Sequence, residues 1–386
     1  MVRTVGIEEE FLLVDPGTGR VRAEAADVLR GCRSRLGTWT GGRPAAHSNP
    51  EAKEEFFQEE VELATRPCRS MEELAAQVIV GREALAESAA DNAVAAVALG
   101  LPPLGEGPGT VSPGPRYQHI HRTYGELASR SLMCALHVHV QVESQSEAVA
   151  VLDRLRPWLP LIVAMTSNSP YHGGQSTGHQ SWRSRLWEMW PSSGPPEAFR
   201  TEAAYRATAD RLVAWGAAQD PALLNFGARA SATYPTVEIR VGDSCTEAAD
   251  SLLVAALVRA LVETCARRWA TGVDGPSWRS EELRAAHWRA ARYGLSGELV
   301  DPLELHLVPA ATALRQLQHE VTPALRDAGD EELVAAELAR LLDTGSGADR
   351  QQQVFAATGS LPAVVADAHR RTAGPAHAPH SVPPRR

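Results

Sequence analysis

The chain is organised around the segment Val5-Gly-Ile-Glu-Glu-Glu-Phe-Leu-Leu-Val14. This segment belongs to an apolar run, residues 3–14, that predicts a β-strand. Successive side chains of a strand point to opposite faces, so Glu8 and Glu10 share one face and Glu9 lies on the other. Two carboxylates about 6.5–7 Å apart on one face repel each other unless cations lie between or beside them. The segment therefore predicts a strand that carries cation ligands.

The same pairing of polar side chains occurs in two later segments. His137 and His139 alternate with apolar residues in one predicted strand, and Glu238 and Arg240 do so in another. An ionised group in apolar surroundings is costly unless something compensates its charge. Three strands that each offer a same-face polar pair predict a sheet lined with metal and phosphate ligands.

Composition argues against several classes of partner. The 47 acidic and 38 basic residues give a net charge of −9, which disfavours a nucleic acid or an anionic membrane. The most apolar window, residues 252–262, contains Arg259 and is too short to span a bilayer. The five cysteines are scattered without a C-x-x-C pair, and the N-terminal segment has no signal-peptide pattern. We therefore expect a cytoplasmic protein with reduced thiols.

The remaining patterns predict an α+β fold. Ser70-Met-Glu-Glu73 is a capping box, and it opens a predicted helix that runs to about Leu99. Further strands are predicted at residues 54–65, 223–230 and 235–242. Strands in the first two-thirds followed by a helical last third are typical of α+β proteins. No G-x-G-x-x-G or P-loop motif is present, so a nucleotide would be held another way, most simply through metal ions.

Residues 166–196 form a polar segment that is dense in Gly, Ser, Trp and His. A loop of that length with little regular signal is usually functional or disordered. Its aromatic residues favour an ordered loop that faces a ligand. Within it, Arg183 and Arg185 either bind a substrate carboxylate through bidentate hydrogen bonds or are ordinary surface charges.

Taken together, these segments resemble the bacterial carboxylate–amine ligases of the glutamate–cysteine ligase type 2 family. The resemblance covers residues 3–372, which we interpret as a single catalytic domain, and the Pro-rich tail 373–386 is expected to be disordered. Its main motifs are Val5 to Asp15, Phe57 to Thr65, Leu136 to Val140, Arg156 to Pro160, Ser167 to Pro170, Pro235 to Val241 and Trp288 to Gly294.

The resemblance implies the catalytic fold of glutamine synthetase, a curved, mostly antiparallel sheet that forms a half-funnel with helices packed outside. It also implies a reaction that uses ATP to join a carboxylate to an amine. The carboxylate takes the γ-phosphoryl group to give an acyl phosphate, which the amine then attacks. The substrates would be amino acids, most plausibly the γ-carboxylate of glutamate and, by family name, the amine of cysteine. A homodimer is the family expectation.

The resemblance further implies roles for individual residues. One Mg²⁺ would be held by Glu10, Glu55 and Glu62. The other would be held by Glu8, His137 and Glu238. His139 would contact phosphate, and Arg240 would stabilise the transferring phosphoryl group, so that Arg240, Glu238 and His139 form the catalytic set. From the loop itself we add Arg183 and Arg185 to His139 and Arg240 as candidate cofactor-binding residues.

One of these assignments conflicts with the strand pattern. Glu55 and Glu62 are seven residues apart, which places them on opposite faces of an uninterrupted strand. Either the chain bends near Phe56 and Phe57, or only one of the two glutamates is a ligand. Glu60 shares the face of Glu62 and is the substitute candidate.

The segment 166–196 also departs from the family pattern. Relatives carry an aromatic–acidic pair and a Gly-Tyr-Ala-Ser-Tyr-Arg run where this chain has Tyr171-His-Gly-Gly174 and Gly178-His-Gln-Ser-Trp-Arg183. Two alternatives to glutamate–cysteine ligation therefore stay open. One is a ligase specialised for a different amine or carboxylate. The other is a non-catalytic sensor that binds ATP or metal.

Overall fold

The computed structural model describes residues 2–38, 49–104 and 107–374. Its strands are β1 (Val5–Val14), β2 (Glu51–Glu54), β3 (Glu60–Ala64), β4 (Ala95–Val97), β5 (Ala135–Gln141), β6 (Tyr171–His172), β7 (Gln175–Ser176), β8 (Ala228–Ala230), β9 (Thr236–Asp243), β10 (Glu298–Val300) and β11 (Leu307–Pro309). Its helices are α1 (Ala25–Thr38), α2 (Met71–Asp91), α3 (Pro115–Tyr124), α4 (Glu126–Ser129), α5 (Gln145–Leu155), α6 (Leu159–Thr166), α7 (Trp182–Trp187), α8 (Glu202–Ala214), α9 (Ala248–Ala270), α10 (Ser280–Tyr293), α11 (Ala310–Ala328), α12 (Glu331–Thr344), α13 (Gly347–Thr358) and α14 (Leu361–Ala373).

The main sheet is antiparallel and is built around β1. Its strand order is β2–β3–β1–β5–β9–β8, and β4 pairs with the end of β1 beyond β5. Antiparallel sheets can bury one face and leave the other for a ligand or solvent, which gives strict alternation along each strand. The predicted α+β class, with a mostly antiparallel sheet and helices packed against it, is confirmed.

One face of the sheet is apolar and packs against helices. Val5 and Ile7 of β1, Val138 of β5 and Ile239 of β9 are buried in one core with the side chains of α5, α6 and α9. Because side chains alternate, the polar partners of these residues all point to the opposite face. Burial of the apolar face thereby fixes the register, since a slip of one residue would exchange the two faces.

Glu9 lies on the helix-packed face and is neutralised there. Arg82 of α2 donates two hydrogen bonds to its carboxylate, Nε to Oε2 at 3.0 Å and Nη2 to Oε1 at 2.6 Å, and Ser251 of α9 donates a third at 2.6 Å. Both members of the ion pair are buried. Arg82 also donates to the carbonyl oxygens of Cys245 and Thr246, so the pair joins β1 to two helices and to the chain after β9.

Asn168, just after α6, connects the sheet to the C-terminal helices. Its buried amide nitrogen donates to the carbonyl oxygens of Ala98 at 3.0 Å and Ser244 at 2.7 Å. Its oxygen accepts a hydrogen bond of 2.7 Å from Gln351 of α13. The approach is close, since a Cβ on Gly347 would lie 2.1 Å from the same oxygen. Through Asn168, helix α13 therefore packs against the segments that follow β4 and β9.

The helix predicted to run to about Leu99 is shorter than expected. It ends at Asp91, with Asn92 as its C-cap and Ala93 at a positive φ of 55°. The alanine-rich run that follows was assigned to the helix because alanine favours helices, but Ala95–Val97 pair with β1 instead. Pairing with a central strand overrides the local preference.

Other boundaries also differ from the predictions. The predicted strand 223–230 is extended as a strand only at Ala228–Ala230, because Pro221–Leu223 form a 3₁₀ turn. The segment 166–196 contains the short β6–β7 hairpin and α7, and β10 and β11 lie in the predicted helical third. Helix α14 includes Ala373, and residues 375–386 of the predicted tail lie outside the described residues.

Candidate active site

The register of the sheet places the predicted polar residues beside one another. Glu10 lies directly opposite Glu62 of β3. Glu8 lies opposite His137 of β5, and His139 lies opposite Glu238 of β9. Directly opposed residues of antiparallel strands have neighbouring side chains on one face. The same-face pairs predicted from three separate segments therefore form one continuous polar surface.

The conflict over Glu55 is resolved by an irregular segment that separates β2 from β3. Strand β2 ends at Glu54 and β3 begins at Glu60, so Glu55 does not lie on an uninterrupted strand. Ligand atoms of Glu10, Glu55 and Glu62 all lie within 4.8 Å of one another. Of the two alternatives that the strand pattern left open, the structure shows the bend between β2 and β3. Glu60 is not part of this group, and its Oε1 accepts a hydrogen bond from the backbone N–H of Phe57.

The second predicted ligand group differs from what the structure places together. Glu238 shares a group with Glu8 and His139, whose ligand atoms all lie within 4.8 Å of one another, and not with His137. His137 instead forms a third group with Glu8 and Glu62. The physical reason is the register, because His139 is the direct cross-strand neighbour of Glu238. His139 was assigned to a phosphate, but its Nδ1 is held at 3.0 Å by the Thr236 hydroxyl and its Nε2 lies 3.5 Å from Glu8.

Three carboxyls of this surface have raised pKa values, although Lys53 lies beside one of them, Glu62. Burial raises the pKa of Glu10 to about 7, with repulsion from Glu62 adding to the effect. Burial and repulsion from Glu10 raise the pKa of Glu55 to about 7. Burial and repulsion from Glu8 and Glu55 raise the pKa of Glu62 well above its ordinary value. A cation between these groups would offset the effects of burial and of repulsion, because opposite charge favours the ionised carboxylate.

The other members of the surface are held in forms that suit ligands. Burial acts to raise the pKa of Glu8, but hydrogen bonds with His137 and His139 lower it below the usual range. Burial and the nearby charge of Arg240 lower the pKa of His137 to about 4. Glu8 is therefore an anion and His137 a neutral imidazole near pH 7, as coordination requires.

Arg229 is a member of the site that the sequence did not identify. Its guanidinium donates to both oxygens of Glu238, at 2.7 and 3.2 Å, and Arg240 contacts Oε1 of the same carboxylate. Both guanidiniums lower the pKa of Glu238, although burial opposes them. The available signal was the strand register, which sets Arg229 opposite Glu238.

The position of Arg240 depends on an irregularity in β9. The pairing of β5 with β9 shifts by one residue between Leu136 and Val138, which puts a bulge on β9 near Arg240. Bulges beside active sites re-aim a side chain. The guanidinium carbon of Arg240 lies 5.5 Å from the centre of the Trp187 ring, a cation–π contact, and its Nε has no hydrogen-bond partner.

Helix α7 supplies the facing wall of the site. The guanidinium of Arg183 is 1% exposed and lies 5.5 Å from the centre of the Trp187 ring. Its Nε and Nη1 have no hydrogen-bond partner, and its nearest carboxylate, Asp243, is 3.8 Å away. Arg185 does not line the site, because it points away and pairs with Glu188. Of the two arginines singled out in the loop, only Arg183 faces the cavity.

Two cavities adjoin the polar surface, each of about 410 Å³. The first extends toward α7 and holds the carboxylates together with Arg183, Arg240 and Trp187. The second extends past the start of β1 toward Thr65 and Arg69. Four residues line both of them, namely Glu8, Lys53, His139 and Tyr234. Two of the candidate cation ligands, Glu8 and His139, therefore border both cavities.

The donor set fits a hard divalent cation. Carboxylate oxygens are the ligands that Mg²⁺ and Mn²⁺ prefer, and imidazole is accepted beside them. Thr236 fixes the orientation of the His139 ring, which is the usual function of an outer partner at a metal site. The thiols are not part of the groups that the described residues form.

Comparison with known proteins identifies the family. The model of glutamate–cysteine ligase family 2 matches residues 4–367. The chain belongs to this family. Its membership makes it an enzyme, an ATP-dependent carboxylate–amine ligase of the glutamate–cysteine ligase type, and the sensor alternative falls.

Curated relatives match over nearly their whole length. A Nocardioides protein with the provisional name glutamate–cysteine ligase 2-1 is 44% identical to this ligase over 372 residues, 96% of each chain. A Streptomyces coelicolor protein with the provisional name glutamate–cysteine ligase 2 is 40% identical over 376 residues, 96% of this chain and 99% of its own.

Solved structures share the fold at low identity. Glutamate–cysteine ligase from Francisella tularensis was solved in complex with AMP. It has a TM-score of 0.62 at 12% identity, and the match covers 97% of this ligase and 88% of that chain. A bifunctional glutathione synthetase from Pasteurella multocida has a TM-score of 0.66 at 14% identity, over 96% of this ligase and 52% of that chain. These likenesses confirm the predicted fold class.

None of the helices in the described part of the ligase has the length and apolar character needed to cross a bilayer.

Proposed function

We propose that this ligase joins the γ-carboxylate of glutamate to the amine of a second amino acid at the expense of ATP. The observation that carries the proposal is the pairing of cation ligands with a buried, unsatisfied guanidinium across one cavity. Cations held by these ligands would bind the phosphates of a nucleotide, and the guanidinium would bind a carboxylate. A substrate with two carboxylates would satisfy both walls.

Two divalent cations, with Mg²⁺ the natural choice, would be held by two of the ligand groups. Glu10, Glu55 and Glu62 would hold one of them, and Glu8, His139 and Glu238 would hold the other. Such ions neutralise the phosphate oxygens and stabilise the negative charge that develops during transfer of the phosphoryl group. The protein contributes position, because each ligand projects from a paired strand or from the break beside one.

Arg240 would act on the transferring phosphoryl group. Its Nε has no acceptor, although Glu238 holds another nitrogen of the same guanidinium. Arg229 also pairs with Glu238, so that carboxylate keeps a partner when Arg240 turns toward a phosphate. A planar guanidinium fits phosphate oxygens through two parallel hydrogen bonds and carries its charge at all relevant pH values.

Arg183 would bind the carboxylate that does not react. The partners of this buried guanidinium are distant, with a carboxylate oxygen of Asp243 at 3.8 Å and the carbonyl oxygen of Arg240 at 3.5 Å, and burial lowers its pKa. An incoming carboxylate supplies acceptors for Nε and Nη1 of Arg183, which have none. The N–H of Trp187 and that of Trp190 are likewise buried and unpaired on the same wall. This wall therefore favours an anionic group over a neutral one.

The direct test is ADP release with Mg²⁺ and ATP across a matrix of amino acids and amines, with mass spectrometry of every active mixture. A product with the mass of glutamate plus an amine minus water would support the proposal and name the acceptor. ADP release with a different carboxylate would keep the reaction class and overturn the assignment of glutamate.

Glu10→Gln is expected to stabilise the metal-free protein while removing cation binding. The amide keeps an acceptor for the backbone N–H of Ala135 but removes one of several buried, mutually repelling charges. The expected gain is about 0.5–2 kcal/mol in the free energy of unfolding in chelator. Urea unfolding and Mn²⁺ titration measure the two effects, and lower stability together with intact Mn²⁺ binding would contradict the assignment.

A further inference from the structure

Lys53 is the only lysine in a chain with 38 basic residues. Every other cationic side chain of the Lys and Arg type is arginine, including those that line the active site. Lys53 lies on β2, directly opposite Glu62 of β3, and its side chain is 37% exposed. A compact ammonium therefore stands at one position beside the cation ligands, where the rest of the chain uses guanidinium groups.

The ammonium of Lys53 contacts two carboxylates of the site. Its Nζ lies 2.9 Å from Oε1 of Glu62 and 3.2 Å from Oε1 of Glu8. These are two of the three members of the Glu8–Glu62–His137 group, one of three groups that could hold a metal ion among the described residues. The ammonium thus already contacts both carboxylates of that group.

The oxygens of Glu8 are divided between Lys53 and the imidazoles. Oε1 faces the ammonium, while Oε2 lies 3.4 Å from Nδ1 of His137 and 3.5 Å from Nε2 of His139. Lys53 therefore does not contact the oxygen of Glu8 that faces His139. Glu10 and Glu55 lie outside its contacts. Glu62 and Glu8 each belong to one of the other two groups as well, so an ion in either group would share one carboxylate with the ammonium.

The chemistry of the ammonium explains why this position is a lysine. It is a compact point charge with three donors that can turn toward several oxygens, whereas a guanidinium is planar and needs acceptors in one plane. A cluster of converging carboxylates resembles the surroundings of a bound ion more than the flat acceptor pair that arginine prefers.

We propose that Lys53 is a tethered monovalent cation that fills the Glu8–Glu62–His137 group, so that the enzyme takes two divalent cations and not three. This inference rests on the proposed function, because it assigns the other two groups to divalent ions. Removal of the ammonium leaves the third group unfilled, and a divalent ion then enters it.

The test counts Mn²⁺ ions per chain at saturation, by the loss of the free Mn²⁺ signal in electron paramagnetic resonance. The unmodified protein is expected to bind two, and Lys53→Met and Lys53→Gln are expected to bind three. Arg66→Met is the matched control, because Arg66 is a nearby cation that pairs with Glu51 and lines only the second cavity. The control is expected to bind two.

The outcomes separate this inference from the proposed function. Three ions in the unmodified protein, or two in both Lys53 variants, would overturn the inference and leave the cation site intact. An absence of bound Mn²⁺ in all of these proteins would overturn the cation site and the inference with it.

The single lysine also permits a measurement without substitution. An amine-reactive acylating reagent labels Lys53 and the α-amino group, and mass spectrometry separates the two products. Saturation with Mn²⁺ is expected to leave the labelling rate of Lys53 unchanged or lower relative to the α-amino group. A rate that rises on Mn²⁺ addition would show that the ion expels the ammonium, and that result would overturn the inference.

Discussion

Arg240→Ala is expected to reduce the rate of ADP formation by about 10³–10⁵-fold, the range found where an arginine stabilises a transferring phosphoryl group. The guanidinium would have no replacement at that point, because Arg229 is held by both oxygens of Glu238. The fold should survive, since Glu238 keeps Arg229 as its partner. Steady-state ADP release and thermal unfolding measure the two effects.

Two matched variants sharpen this experiment. Arg240→Lys keeps the charge and loses the planar fork, so it should recover only part of the rate. Arg185→Ala removes an arginine that pairs with Glu188 outside the cavity, and its rate should stay near that of the unmodified enzyme. If Arg240→Ala retained more than a tenth of the activity, Arg240 would not be the group that stabilises the phosphoryl transfer.

Arg82→Met is expected to lower the free energy of unfolding by about 3–5 kcal/mol, the cost of leaving one charge of a buried ion pair without its partner. Glu9 would keep only the hydroxyl of Ser251, and the carbonyl oxygens of Cys245 and Thr246 would each lose a donor. Urea unfolding with linear extrapolation measures the change.

The double variant Glu9→Leu/Arg82→Met is the control for this effect. Because it removes both charges, it should be more stable than Arg82→Met alone, and the difference measures the unpaired charge rather than lost packing. A double variant that is as unstable as the single one would assign the loss to the two carbonyl oxygens instead.

Much of the fold and the site followed from strand alternation. The assignment of Glu8 and Glu10 to one face needed only the period of a strand, and the burial of Ile7 and Val138 on the other face bears it out. The family resemblance then supplied the antiparallel sheet. Both signals are strong because they depend on many residues at once.

The contacts that the sequence missed are set by register, which is a property of two strands. Nothing local to Arg229 indicates that Glu238 lies opposite it, and the exchange of His137 for His139 in one ligand group has the same origin. The end of β2 before Glu55 could not be predicted, because alternation along a strand does not show where that strand is interrupted. β4 was missed because its pairing with β1 outweighs the helix preference of alanine.

The contact of α13 with Asn168 has a consequence for how the chain folds. Asn168 and Gln351 are 183 residues apart, and Asn168 holds the segments that leave β4 and β9. A chain that ends at residue 340 would contain every strand of the main sheet but would lack α13, which packs against it. Contacts of such long range slow folding and expose incomplete intermediates. We therefore expect the sheet to become protease-resistant only after translation has passed α13.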